Sequence, residues 1–263
     1  MIAGALASSA SAYPIFLSDT GNNTGAAPTF RNGDVLADDH SGATTDHSIL
    51  FSEDLFSGNE NVDAFHWVSD TVFALSTTSA ATLGGLTFQD EDVVLYDTEL
   101  DTASLIFDGS SVFTGNEDVN AFHILSDGRF LISTDQDAEI GALSFEDEDI
   151  VLIDYDIGIG VTSASIFLDG DATFTGEEDI DAIFYNERID GLFFSTERSA
   201  DIGASTFTDG QIIERRDGLF REFFSFENMP GANDIDAFSA VPEPSTALLV
   251  GLGLMVISAR RSR

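Results

Sequence analysis

The strongest constraint on this chain is a motif that returns four times. It reads Phe56-Ser-Gly-Asn-Glu-Asn-Val-Asp63-Ala-Phe65, then Phe113-Thr-Gly-Asn-Glu-Asp-Val-Asn120-Ala-Phe122, then Phe174-Thr-Gly-Glu-Glu-Asp-Ile-Asp181-Ala-Ile183, and in a shortened copy Asn233-Asp-Ile-Asp236-Ala-Phe238. The aligned residues Asp63, Asn120, Asp181 and Asp236 are 57, 61 and 55 residues apart. A second motif keeps this period at another phase: Phe30-Arg-Asn-Gly-Asp34, Phe88-Gln-Asp-Glu-Asp92, Phe145-Glu-Asp-Glu-Asp149 and Phe207-Thr-Asp-Gly-Gln211. Each of its phenylalanines follows a glycine (Gly25, Gly84, Gly141 or Gly203) by four or five residues. A fixed period of this kind makes each repeat one supersecondary unit that buries its apolar face only by stacking on its neighbours.

Each period holds four short runs rich in β-branched and aromatic residues, bounded by Gly, Asp, Asn or Ser, the pattern of strands joined by turns. In the second copy they span 119–125, 130–133, 150–154 and 164–168, with Ser126-Asp127-Gly128 as a tight turn between the first two. Named A, B, C and D, four antiparallel strands per repeat describe a propeller blade. The phase of the repeats sets the blade count. Ile15-Phe-Leu-Ser18 aligns with the strand-B segments 73–76, 130–133 and 192–195, and is followed by a strand C at Asp34 and a strand D at 48–51. Three complete repeats come next, and a lone strand A at 235–240 ends the series. The expected fold class is all-β, a four-bladed β-propeller over 13–240 in which one blade is closed by N- and C-terminal strands, leaving no open ring edge. An open β-solenoid or a pair of β-sandwiches is the competing arrangement. Strand A carries Val62, Ala64 and Val68 on one face and Phe65 and Trp67 on the other, as expected of a strand buried on both sides. The recurrent phenylalanines are expected to fill the wedges between blades.

Charge narrows the function classes. Asp plus Glu number 47 against 10 Lys plus Arg, a net charge of −37, and all ten bases are Arg. Such a chain repels nucleic acid and anionic lipid. Its 43% apolar content, with 23 Phe, still supports a packed core rather than an acidic disordered tail. With no Cys, a disulfide framework, a zinc-thiolate site and a Cys nucleophile are excluded.

Both ends read as processing signals. Residues 1–12 are small and apolar and finish in Ala10-Ser11-Ala12, a pattern that signal peptidase accepts, so they are expected to be part of a signal peptide. The C-terminal 241–263 runs Val241-Pro242-Glu243-Pro244-Ser245, then an apolar stretch over 246–259, then Arg260-Arg261-Ser262-Arg263. This tail resembles the PEP-CTERM sorting signal of exported bacterial proteins. The apolar stretch is shorter than the ~20 residues that span a bilayer comfortably, and the arginines would hold its end at the cytoplasmic face. The resemblance implies a hydrophobic sorting helix inserted transiently in the inner membrane. It also implies an exosortase-type enzyme that recognises Pro242, Glu243 and Pro244 and delivers the body to the cell surface or the exterior. A short membrane anchor is the alternative. Without Glu243 and the three terminal arginines the body keeps 46 acids against 7 Arg, a net charge of −39.

In a propeller the A strands line the channel and run the same way, so their first residues meet at one mouth. That ring would hold Asp63, Asn120, Asp181 and Asp236. Two residues earlier, on the same side of each strand, lie Asn61, Asp118, Asp179 and Asp234. A pair of carboxylates about 6 Å apart repels by roughly 3 kcal/mol at an effective dielectric near 20. Raised pKa values and water relieve that cost, or a cation does, and Ca2+ suits a set of six to eight oxygen ligands. The Asp-Ala pair that opens these strands resembles the blade starts of hemopexin-like four-bladed propellers, which implies an ion in the channel. The competing reading has these acids capping turns at a wet channel mouth. The second acidic motif, Asp90-Glu91-Asp92 and Asp147-Glu148-Asp149, is expected to be a solvated loop.

Catalytic signals are few. His66 and His123 hold equivalent positions, where the other copies have Phe184 and Ser239, and read as structural; His40 and His47 belong to no motif. Ser18, Ser76, Ser133 and Ser195 recur at the end of strand B without a fixed His partner, so they read as hydrogen-bonding groups and not nucleophiles. Two function classes follow. One is an exported, non-enzymatic surface or matrix protein, stabilised by Ca2+, that binds a protein or a polysaccharide. The other is a secreted polysaccharide hydrolase or lyase with acids at the channel mouth.

Overall fold

The structure, a computed structural model, describes residues 14–22, 29–38, 47–115, 117–176, 178–225 and 234–241. The expected signal peptide, the sorting motif Pro242, Glu243 and Pro244, and the sorting helix lie outside the described residues.

The N-terminal strands are β1 (Ile15–Asp19), β2 (Val35–Asp38) and β3 (His47–Phe51). The second blade follows as β4 (Ala64–Ser69), β5 (Val72–Ser76), a ribbon of β6 (Ala81–Leu83) and β7 (Leu86–Phe88), then β8 (Val93–Asp97) and β9 (Thr102–Phe107). The third repeats the plan with β10 (Ala121–Ile124), β11 (Phe130–Ser133), ribbon β12 (Ala138–Ile140) and β13 (Leu143–Phe145), β14 (Ile150–Asp156) and β15 (Gly160–Leu168). The fourth has β16 (Ile180–Asn186), β17 (Gly191–Thr196), ribbon β18 (Ala200–Ile202) and β19 (Ser205–Phe207), β20 (Gln211–Arg216) and β21 (Leu219–Ser225). β22 (Ile235–Ala240) comes last and pairs antiparallel with β1, from Ile15 opposite Ala240 to Ser18 opposite Ala237. The four sheets are therefore β22-β1-β2-β3, β4-β5-β8-β9, β10-β11-β14-β15 and β16-β17-β20-β21. The fold is a four-bladed propeller whose first blade joins the two ends of the chain.

The inner strands β4, β10, β16 and β22 touch one another in turn around the axis. Apolar side chains from adjacent blades fill the four wedges between sheets. Phe107 of the second blade meets Phe122, Phe130 and Tyr155 of the third, and Phe16 of the first stacks on Trp67 and stands edge-on to Phe65 of the second. Leu131 and Ile150 pack with Phe194 and Ile213, and Phe184 and Phe193 pack with Phe238. This is the wedge-filling role expected of the phenylalanines. One residue departs from the strand-A pattern. Val68 is 42% exposed, because the register shifts between Trp67 and Ser69 and strand A leaves the packed channel there.

The ribbons between strands B and C are additional to the four strands expected per repeat. Their turns hold Gly84, Gly141 and Gly203 at φ of 54°, 66° and 64°, which explains the glycine four residues before each motif phenylalanine. At Gly84 the backbone of Ala103 comes so close that a Cβ would stand 2.5 Å from its nitrogen.

The last Asp of the second motif is a clasp. Asp149 accepts from the backbone N–H of Glu146 at 3.1 Å and of Gly170 at 2.8 Å, tying the turn that enters strand C to the turn that leaves strand D. Asp92 does the same with Gln89 and Gly109, and Asp34 with Arg31 and Glu53. Glu91, Asp92, Glu148 and Asp149 are all buried, so the expected solvated loop is corrected to a packed turn. The recurrent serines also bond inward. Ser76 and Ser133 donate to carbonyls of this same turn, while Ser18 and Ser195 donate to Val62 and Ile235 of the next blade.

Removing a clasp strands two backbone donors, each worth about 1.5–3 kcal/mol against a charged acceptor. Asp149→Ala is expected to destabilise the protein by about 3 kcal/mol in urea unfolding. Asp149→Asn, which keeps an acceptor, is expected to lose less.

Candidate functional site

Each inner strand begins at the same end of the channel, and the repeat places the same two positions there every time. Seven of the eight expected residues line one cavity of about 570 Å³: Asn61, Asp63, Asp118, Asn120, Asp179, Asp181 and Asp236. The eighth, Asp234, lies close enough to Asp181 and Asp236 for the charges to act on one another.

The ring is built by pairing the earlier residue of one blade with the strand-start residue of the blade before. Asn61 donates its amide N–H to Asp236 Oδ2 at 2.9 Å, a satisfied pair. In the next blade Asp118 takes the place of Asn61 and faces Asp63, so two acceptors meet. Asp63 is only 4% exposed, and burial first, then the charges of Asp118 and Asp236, push its pKa well above the usual carboxylate range. Asp118 rises to about 8, through burial and then Asp135 and Asp90, while its neighbour Asp63 pulls it back. Both groups are thereby pushed toward their protonated forms. Burial and then Asp234 raise Asp181 well above its ordinary value, although Ser195 Oγ donates to its Oδ1 at 2.5 Å. Burial likewise lifts Asp234 to about 8 and Asp236 and Asp179 to about 7.

Many oxygens here have no donor among the described residues. Both carboxylate oxygens of Asp63, Oδ1 of Asp118 and Asp234, Oδ2 of Asp181 and the amide oxygens of Asn61 and Asn120 are buried and unpaired. Buried acceptors without partners are rare and call for a ligand or a proton. An oxygen-only set of this size fits Ca2+. The ring is wide, however. Among the described residues, three acids come within 4.8 Å of one another only at Glu146, Glu148 and Asp171. A cation in the ring would therefore rest on one or two carboxylates, the Asn oxygens and water.

A further ring escaped the sequence reading. Thr20, Thr78, Asp135 and Glu197, each just past strand B, line the same mouth. Their backbone N–H groups donate to the carbonyls of Asp234, Asn61, Asp118 and Asp179 in fourfold repetition. The signal was the second residue after the strand-B alignment, in Ser76-Thr77-Thr78, Ser133-Thr134-Asp135 and Ser195-Thr196-Glu197.

Deeper in the channel His66 and His123 meet with their Nδ1 atoms 3.1 Å apart, one donating and one accepting. His123 also stands edge-on to Phe184, and Ser239 Oγ accepts from the backbone of Trp67. Burial lowers His66 to about 4 and His123 well below its ordinary value, so both are neutral and the layer is a structural plug.

The carboxylate and histidine shifts have opposite consequences for stability. A carboxylate raised from 3.8 to 7 or 8 binds more protons folded than unfolded between those values, so stability falls as pH rises across that range. A histidine lowered to about 4 costs stability as pH falls below 6.5. In chelator, the melting temperature is expected to rise as pH falls from 8 to about 5, the two histidines offsetting only part of the gain below 6.5. Asp118→Asn, which rebuilds the Asn61–Asp236 pair, is expected to stabilise the fold at pH 8 by about 1 kcal/mol and to flatten the slope. Thermal melts across pH check both.

Residues 240–263 match the PEP-CTERM protein-sorting motif, which marks the chain for export to the surface and implies processing by an exosortase. The chain matches no curated protein. Solved structures similar to it include YCF48 bound to a D1 peptide, at 9% identity over 74% of this chain with a TM-score of 0.35. A protein of unknown function from Bacteroides caccae is similar at 8% identity over 82% of this chain, TM-score 0.30. The extracellular domain of the hybrid two-component system BT4673 from B. thetaiotaomicron is similar at 10% identity over 84%, TM-score 0.33. The chain spans 48%, 58% and 29% of those three chains.

Proposed function

We propose that this chain is an exported, non-enzymatic module of the cell surface or extracellular matrix that binds a protein or a polysaccharide and holds Ca2+ at the mouth of its channel. The observation that carries the reading is the set of buried, unpaired oxygens on Asn61, Asp63, Asp118, Asn120, Asp181 and Asp234. They belong to positions repeated in all four blades, which supports a binding surface over a catalytic centre, since a nucleophile or acid–base pair needs groups with separate roles. Chain direction also supports it. β22 begins at the acidic ring and ends where Val241 N–H donates to Pro14 C=O at 3.1 Å, so the sorting tail departs from the opposite end of the inner strand. A body held by its tail would turn the acidic mouth outward.

The second reading, a polysaccharide hydrolase or lyase, draws on Asp118 and Asp236, which burial pushes up to about 8 and about 7, the direction a general acid needs. Binding and turnover separate the two.

Millimolar Ca2+ is expected to raise the melting temperature of the full chain, and Asp63→Asn combined with Asp181→Asn to lose part of that rise. A double variant that keeps the whole rise would exclude the ring as a Ca2+ site. Retention on a polysaccharide array without product release is the expected outcome there; product release that Asp118→Asn abolishes would establish the enzyme.

A further inference from the structure

Outside the channel, the turn entering β14 and the turn leaving β15 bring three acids together. Glu146 and Glu148 come from the first turn and Asp171 from the second, with carboxylate oxygens all within 4.8 Å of one another. They border a cavity of about 740 Å³. Glu148 is 2% exposed, and among the described residues no hydrogen bond relieves its carboxylate. Burial first, and then the carboxylates of Glu146, Asp171, Asp147 and Asp149, lift it to about 7. Arg198 borders the same cavity, but its guanidinium lies against Glu197 and Asp179.

The propeller contains its own comparison. In the first blade the residue after the motif phenylalanine is Arg31, where the third blade has Glu146. Glu53 N–H donates to Asp34 Oδ1 as Gly170 N–H donates to Asp149 Oδ1, so Glu53 corresponds to Gly170 and Asp54 to Asp171. Glu148 corresponds in turn to Gly33. The glutamate has changed sides of the contact: Glu53 packs over Gly33, and Glu148 over Gly170, at distances that would admit no Cβ on either glycine. Both places thus hold a buried glutamate beside an aspartate. In the first blade a cation joins them, with Arg31 2.8 Å from Asp54 and 3.4 Å from Glu53. In the third blade the cation's position is taken by a third carboxylate. The second blade, with Gln89 and Ser110, leaves Glu91 as the one acid of its set.

We propose that Glu146, Glu148 and Asp171 form a divalent-cation site, separate from the channel mouth, in which a bound ion does the work that the Arg31 guanidinium does in the first blade. An all-carboxylate set with its outer side open to water selects a hard oxygen-seeking ion, and Ca2+ fits its flexible geometry. Three carboxylates and water suit the 10⁻⁴–10⁻³ M affinity range, roughly, of extracellular Ca2+ modules.

Titration calorimetry of the full chain with Ca2+ tests this. Glu148→Gln and Asp171→Asn are each expected to lower the stoichiometry by one ion per chain, with Asp171 on an exposed turn guarding against a folding defect at buried Glu148. Glu146→Arg is the decisive variant: it is expected to lose the same ion and, in chelator, to melt at a higher temperature than the parent chain. The Asp63→Asn, Asp181→Asn chain is expected to keep this ion. If Glu146→Arg and Asp171→Asn bind as much Ca2+ as the parent, the site does not exist, whatever the channel mouth binds.

Discussion

The antiparallel pairing of β22 with β1 is the contact on which the rest of the molecule depends. Strands more than two hundred residues apart in sequence complete one four-stranded sheet, so the ring of blades closes without a gap at the join. The same pairing brings Asp234 and Asp236 to the channel and closes the ring of inner strands. It also decides where the sorting tail leaves the body, at the end of β22 away from the acids.

Closure by repetition has an electrostatic consequence. Identical positions in successive blades converge, so a carboxylate at such a position meets others of its kind. The chain answers in three ways. Asn61 replaces a carboxylate with a donor and satisfies Asp236; Arg31 supplies a counter-charge between Glu53 and Asp54; and Asp63 and Asp118, with neither, are pushed toward their protonated forms. With 10 bases against 47 acids and no Lys, internal counter-charges are scarce, and the remaining clusters depend on protons or on ions from outside. An exported protein in a medium that contains Ca2+ has such ions at hand.

The elements that were legible in the sequence are those whose neighbours are set by period alone. Strands 235–240 and 130–133 were read to the residue, since apolar runs between turn residues define them, and the wedge role of Phe107, Phe122 and Phe194 follows from strands buried on both faces. The three B–C ribbons were not read. Each strand has only three residues, too few for an alternation to stand out, and the glycine at positive φ was the sole sign. Asp92 and Asp149 looked like solvated loop acids because composition does not record that two backbone donors, one of them from a distant turn, converge on each.

The sequence by itself determined the blade count, the closure, the export signal and the identity of the eight residues at the mouth, because a fourfold repeat leaves few ways to be satisfied. Which acids face one another was decided by tertiary structure alone. Glu146 and Asp171 are brought together by the antiparallel return of β14 and β15, and Asp118 meets Asp63 across a blade boundary. Burial, which only packing sets, then turns ordinary surface carboxylates into groups that hold a proton near neutral pH or call for a cation.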